Sequence, residues 1–145
     1  MLPRYHILFG ILFTLIIWFF ARDLSLIYLA LILFGAIFID FDHYMNPVIK
    51  NKKISLAHAF DYHKKIQKTE EIEHKKGIRS RGDFHIFHTI EAHILVAVLG
   101  FFWAGFFFVF IGMVFHSLID LGELLQKDRF YRREFFFFNW LRKRI

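Results

Sequence analysis

Long apolar runs alternate with short polar breaks along this chain. The first two runs cover about residues 5–21 and 24–41, and the last two cover about 84–103 and 106–125. The first two runs are at the short end of the roughly 20 residues that an α-helix needs to cross a bilayer. The pattern predicts an all-α, integral membrane four-helix bundle that forms a single domain over residues 1–145.

Two polar segments complete this prediction. Residues 44–83 form a central loop, in which Asn46–Pro47 predicts a helix break and residues 54–76 predict an amphipathic surface helix. The tail, residues 126–145, mixes Arg and Lys with Phe and Trp, which is typical of a helix lying in the membrane interface. The first run is predicted to be a retained helix, since no small-residue cleavage site follows it.

The cations are divided unevenly between the two ends of these helices. Arg4, ten Lys or Arg residues of the central loop and seven of the tail fall on one side, while Arg22 alone falls on the other. Cytoplasmic segments carry the excess of Lys and Arg in membrane proteins. The protein is therefore predicted to lie in the cell membrane as a multi-pass protein, with both termini and the central loop in the cytoplasm.

Composition narrows the chemistry further. Hydrophobic residues make up 57% of the chain, with 22 Phe, which is too apolar for a soluble protein of this size. There is no cysteine, so a metal must take nitrogen and oxygen ligands. The net charge of +6 flanks the apolar runs, so membrane lipids are expected as partners and nucleic acid is not.

Ionisable residues gather at the predicted cytoplasmic ends of all four helices. Asp40, Asp42 and His43 stand where the second run stops, and His116 and Asp120 share a face of the fourth helix. The other members of the set are His6, His85, His88 and Glu91, of which the last three are spaced i, i+3, i+6.

Charged groups in a bilayer are costly, at about 2.5–3.5 kcal/mol each near its centre, so they are expected to face the bundle interior. Mixed His and carboxylate ligands suit Zn, Mn or Fe. We expect Asp40, Asp42, His43, His88, His116 and Asp120 to hold one or two divalent ions, with His6 and His85 as further candidates. Glu91 is predicted to act as the general base or, equally, to orient His88 from behind.

Other interpretations of these residues remain open. Interhelical hydrogen bonds could use the same groups, although each averages only about 0.6 kcal/mol in membranes. A metal-ion or proton transporter would need polar groups in the outer halves of the helices, which are almost purely apolar. A haem protein would leave the carboxylates unexplained. His58, His63 and His74 are interpreted as solvated surface residues of the loop.

The order of these motifs resembles the YdjM-like (LexA-regulated, inner-membrane) family of membrane-bound metal-dependent hydrolases. The matching residues are His6, the Asp40-Phe41-Asp42-His43 segment, His88-Thr89 and the His116-Ser117-Leu118-Ile119-Asp120 segment. The family's other His lies five positions before the one matched by His88; Asp83 stands there, and His85 is the nearest His.

The resemblance implies a hydrolase of undefined substrate. Lys50, Lys52 and Lys53 follow the Asp-rich segment, and their charge favours an anionic, phosphate-containing or lipid substrate, with residues 54–76 as a lid.

Overall fold

The computed structural model describes residues 3–51 and 56–145, and all regular elements in those ranges are helical. Two short 3₁₀ turns, Ile86–His88 and Phe130–Arg132, lie between the α-helices. The α-helices are α1 (Pro3–Phe20), α2 (Leu26–Phe38), α3 (Phe41–Asn51), α4 (Leu56–Lys75), α5 (Ile90–Leu99), α6 (Ala104–Gln126) and α7 (Phe137–Arg142).

Two stretches of helix are long and apolar enough to cross a membrane: Leu26–Met45, which includes the break between α2 and α3, and Ala104–Gln126. Arg4–Phe20 and Ile90–Leu99 are shorter apolar helices. The third predicted helix is thus much shorter than residues 84–103. It begins only at Ile90 because Thr89 caps it, its hydroxyl accepting a hydrogen bond from the Ala92 amide at 3.3 Å.

The most extensive packing joins α2 to α6, and two glycines make it close. A Cβ atom on Gly112 would lie 2.0 Å from the carbonyl oxygen of Ile32, and one on Gly35 would lie 2.2 Å from the carbonyl oxygen of Val109. Neither position has room for a side chain. Small residues at a helix interface let the two backbones approach each other in this way.

The predicted break at Asn46–Pro47 is wrong, because α3 runs from Phe41 to Asn51 without interruption. A proline inside a helix removes the hydrogen bond to the carbonyl four residues earlier, here that of His43. That carbonyl has another partner, since Nε2 of His63 on α4 lies 2.6 Å from it. The chain breaks earlier, at Ile39 and Asp40, where α2 ends and α3 begins.

The tail is not the single helix predicted over residues 126–145. Just after the end of α6, Asp128 has a positive φ of 49°. The Asp128 amide donates to the Leu125 carbonyl at 3.1 Å and the Arg129 amide to the Leu124 carbonyl at 2.8 Å, which is the Schellman pattern of helix termination. The chain then turns back, and the Ile90 amide donates to the Phe135 carbonyl at 2.9 Å. The tail is therefore held against the start of α5.

Polar residues fill much of the interior in the described part of the chain. The buried apolar side chains are Leu29, Ile32, Ala36, Ile39 and Met113. The buried polar ones are His6, Asp42, His88, Thr89, His116, Asp120 and Arg132. Large apolar residues meanwhile lie outside, with Phe101 89% and Phe102 84% exposed at the turn between α5 and α6.

Candidate metal centre

The structure brings all eight predicted ligands into one connected cluster. Helix α1 contributes one residue and α6 contributes two. Three more come from the break between α2 and α3 together with the first turn of α3. The last two come from the 3₁₀ turn at Ile86–His88 and the residue just before that turn. The members are His6, Asp40, Asp42, His43, His85, His88, His116 and Asp120.

Four of these side chains form a ring of N···O contacts around a common point, in which Asp120 groups with His88 and His116, and Asp40 groups with His6 and His116. Oδ1 of Asp40 lies 3.3 Å from Nε2 of His116 and 3.9 Å from Nε2 of His88. Oδ2 of Asp120 lies 3.7 Å and 3.5 Å from the same two nitrogens. Two imidazoles and two carboxylates thus alternate around the point, and three of the four residues are buried while Asp40 is partly buried.

The spacing of these atoms suits ligands of one ion better than direct hydrogen bonds. An N–H···O hydrogen bond measures about 2.7–3.2 Å. Atoms that bind one tetrahedral zinc at 2.0–2.2 Å are about 3.3–3.6 Å apart. In addition, Nε2 of His88 and Nε2 of His116 are buried and have no hydrogen-bond partner among the residues that the structure describes. Unpartnered buried nitrogens are costly, and a cation at this point would satisfy both.

A backbone carbonyl fixes the ring of His116. Its Nδ1 lies 2.7 Å from the carbonyl oxygen of Ala36, to which it donates. That oxygen is free because the last turn of α2 tightens, with the Asp40 amide donating to the Ile37 carbonyl at 3.2 Å. With the proton on Nδ1, the Nε2 lone pair points to the common point. Metal-binding histidines are oriented in this way.

Asp42 lies behind His88 and does not face the common point. Its Oδ2 accepts a hydrogen bond from the Phe87 amide at 2.7 Å and lies 3.6 Å from Nδ1 of His88. The groups of described ligand atoms that lie within 4.8 Å of one another include Asp40 and Asp120 but not Asp42. Asp42 therefore lies beside the outer nitrogen of His88, outside the groups of candidate ligand atoms, and its hydrogen bond goes to the Phe87 amide.

A second group of nitrogens adjoins the first. His43, His85 and His88 offer ring nitrogens within 4.8 Å of one another, and the rings of His43 and His85 lie 4.0 Å apart. Burial lowers the pKa of His85 well below its ordinary value, and neighbouring His88 lowers it further. His6, Asp40 and His116 form a third such group, so each of the three could hold a metal ion.

Two residues that were not predicted as ligands also reach the cluster, and one of them, His63, was predicted to be a solvated surface residue but is only partly exposed. Nη2 of Arg133 donates to Oδ2 of Asp120 at 2.6 Å, and His63 lies against His43, with ring centroids 5.5 Å apart. The tail and loop were interpreted from their overall charge, which does not single out one cation or one His. The one signal in the sequence was Pro47: a proline at this position has no N–H for the His43 carbonyl, so that carbonyl needs another donor, such as a side chain.

Glu91 has a different position from the predicted ligands. Its carboxylate accepts hydrogen bonds from the amides of Phe137, at 2.9 Å, and Phe138, at 3.3 Å, and so caps α7. His93 also has structural partners, with Nδ1 2.8 Å from the Thr89 carbonyl and Nε2 3.0 Å from the Ser117 hydroxyl. These contacts fasten the tail and α6 to α5.

The remaining loop predictions have mixed outcomes. His74 is exposed, as expected for a surface residue. Lys52 and Lys53, and the side chains of Lys50 and His58, lie outside the described residues. Asp83 accepts a hydrogen bond from the Tyr62 hydroxyl at 3.0 Å. His85, and not Asp83, is therefore the residue of this segment that belongs to the cluster.

Comparison of the chain with protein-family models, with curated proteins and with solved structures finds no match. The resemblance to the YdjM-like hydrolases thus depends on the order of the His and Asp motifs alone.

Proposed function

We propose that this chain is a membrane-bound, metal-dependent hydrolase with its site at the cytoplasmic face. The observation that carries the proposal is the pair of buried, unpartnered Nε2 atoms of His88 and His116, which face the carboxylates of Asp40 and Asp120. A divalent ion bound there would polarise a phosphoryl or acyl oxygen and lower the pKa of a coordinated water.

The membrane location is supported by the distribution of polar and apolar side chains. A water-soluble monomer rarely exposes large contiguous apolar surfaces. Here Phe20, Leu26, Phe101 and Phe102 are each at least 75% exposed, while four of the proposed site residues are buried. We infer that α1 and α5 accompany the two longer apolar stretches in the bilayer, as a four-helix bundle. The charge distribution supports a cytoplasmic position for both termini and the central loop.

The protein's own residues have separate tasks in this proposal. Asp40, His88, His116 and Asp120 bind the ion. The Ala36 carbonyl holds the proton on Nδ1 of His116, and the Asp42 carboxylate, 3.6 Å from Nδ1 of His88, adds negative charge behind that ring. The neighbouring nitrogens of His43 and His85, together with His88, supply a place for a second ion, which is a common arrangement in phosphoryl-transfer sites.

Arg133 favours an anionic substrate. Its guanidinium contacts the same Asp120 oxygen that faces the two unpartnered nitrogens, so it reaches the edge of the site. An ion bound there would compete with Arg133 for that oxygen. The N–H groups of Arg133 released in this way could then donate to the substrate. Guanidinium groups bind phosphate through paired hydrogen bonds. A phosphate ester, either small or on a lipid headgroup, is therefore the proposed substrate class.

The test is an activity screen with purified protein and added Mn or Zn, using phosphomonoesters, phosphodiesters and phospholipids. His116→Ala should abolish turnover and metal binding. Arg133→Gln should keep the metal but lower kcat/KM by about 10²-fold or more, as for the loss of one donor to a charged transition state. His74→Ala, at an exposed position on α4, is the matched control. A metal-loaded protein that turns over none of these esters would contradict the proposal.

A further inference from the structure

A second polar site lies outside the His–Asp cluster, between the segment before α5 and the C-terminal tail. It is a cavity of about 220 Å³. The lining residues are Arg81, Gly82, Phe84, Arg132, Glu134, Trp140, Lys143 and Arg144. The cavity is smaller than the roughly 300–1,000 Å³ that hold drug-sized ligands, so it suits one small charged group.

The lining is strongly basic. Four of the lining residues are cations and one, Glu134, is an anion. Arg81 and Lys143 share that single carboxylate, with Nζ of Lys143 2.8 Å from its Oε2. The guanidinium carbon of Arg144 lies 4.5 Å from the centre of the Trp140 ring. Positive charge therefore exceeds negative charge around the cavity.

Arg132 forms the buried part of the lining. Only 9% of it is exposed, and its Nη atoms contact Glu70 and Glu73 on α4, each at 3.2 Å. These contacts fix the guanidinium in place. Its Nε is nevertheless buried and, within the described part of the chain, has no hydrogen-bond partner. A buried donor of this kind is costly unless it is paired, and a bound anion would pair it.

The surroundings of the cavity favour a lipid as the source of that anion. The Trp140 ring stacks on Phe84, with centroids 4.1 Å apart. Apolar side chains on and just before α7 are exposed beside it: Phe136 is 50%, Phe138 68% and Leu141 37% exposed. Aromatic and aliphatic residues interleaved with cations are typical of segments at the level of the lipid headgroups.

We propose that this cavity, formed by Arg81, Arg132, Lys143 and Arg144 around Trp140, binds the phosphate of an anionic phospholipid headgroup. The inference rests on the membrane location in the proposed function, but it does not depend on the metal or on catalysis. A lipid held there would anchor the tail, which also supplies Arg133 to the metal centre. Lipid binding would thus stabilise the arrangement of the active site.

The test measures binding of a fluorescent short-chain phosphatidylglycerol to the full protein in neutral detergent, with EDTA present. The double variant Arg81→Gln/Lys143→Gln should weaken binding roughly ten-fold or more, since it removes two of the cations that attract the anionic headgroup. The matched control Lys75→Gln/Lys76→Gln removes the same charge from exposed positions and should leave binding within about two-fold of wild type. Circular dichroism checks that both variants fold.

Three outcomes would overturn the inference. Equal losses in the two double variants would mean diffuse surface attraction and no site. Full competition by inorganic phosphate at equal concentration would mean a free-phosphate site and no lipid site. Wild type that binds phosphatidylglycerol no better than phosphatidylcholine would remove the site altogether. Because EDTA is present, none of these results depends on whether the protein is a metal-dependent hydrolase.

Discussion

The close packing of α2 on α6 predicts that one added methyl group will damage both stability and the metal centre. In Gly112→Ala the new Cβ would lie 2.0 Å from the Ile32 oxygen and 2.7 Å from the Ala36 nitrogen. Carbon–oxygen contacts are normally about 3.3 Å or longer. The two helices would have to separate by roughly 1 Å at this point.

That separation reaches the metal centre through His116, one helical turn further along α6. The bond from its Nδ1 to the Ala36 oxygen is 2.7 Å, and an added 1 Å would lengthen it beyond the limit of a hydrogen bond. Overpacking costs about 1–3 kcal/mol and the lost hydrogen bond about 1 kcal/mol. Relative to an unhindered Gly→Ala change in the same helix, Gly112→Ala should therefore lose roughly 2–4 kcal/mol of stability, and its metal content should fall.

Gly122→Ala is the matched control in the same helix, because a Cβ there meets nothing within 4 Å. Alanine is a better helix former than glycine by about 1 kcal/mol, so this variant should be as stable as wild type or slightly more stable. Thermal unfolding in detergent, followed by circular dichroism, compares the two. At about 2–4 °C per kcal/mol, Gly112→Ala should melt roughly 5–15 °C lower. Equal melting temperatures and metal contents for both variants would refute the close-packing argument.

Three further predictions concern topology, capping and Glu91. Reporter fusions after Ile145 and near Lys65 should both be cytoplasmic, and one periplasmic result would overturn the proposed orientation. Thr89→Ala should lower stability by about 1 kcal/mol through loss of the α5 cap, whereas Thr69→Ala, on an exposed face of α4, should have little effect in the same melting assay. Glu91→Gln should weaken the cap on α7 and leave kcat nearly unchanged; a loss of 10²-fold or more would identify Glu91 as a general base.

The sequence predicted which residues meet in space better than it predicted the elements that carry them. His and Asp residues stood out because charged groups are costly in apolar runs, and all eight candidates meet. The predicted start of the third helix at residue 84 is wrong, because an apolar run does not reveal that Thr89 caps α5. His88 lies in the 3₁₀ turn before that helix, and His85 directly precedes the turn. A break was predicted at Pro47, yet the helix continues because His63 replaces the lost hydrogen-bond partner.

Roles within the cluster depended on contacts between distant segments. Asp40 and Asp42 are two residues apart and looked equivalent, but one faces the two unpartnered nitrogens and the other faces the outer nitrogen of His88. Likewise, Arg133 was one of several cations in the tail until the turn at Asp128 brought it to Asp120. Positions of this kind follow from how the chain folds back and are not visible in local spacing.

Elemental analysis of the protein purified without added metal tests the central claim most directly. The wild-type protein should contain about one or two equivalents of a divalent transition metal per chain, and His74→Ala should contain the same amount. His116→Ala and Asp120→Asn should each lose most of it while remaining in the membrane. A wild-type protein that is free of metal, and that stays free after incubation with Zn and Mn, would contradict the account.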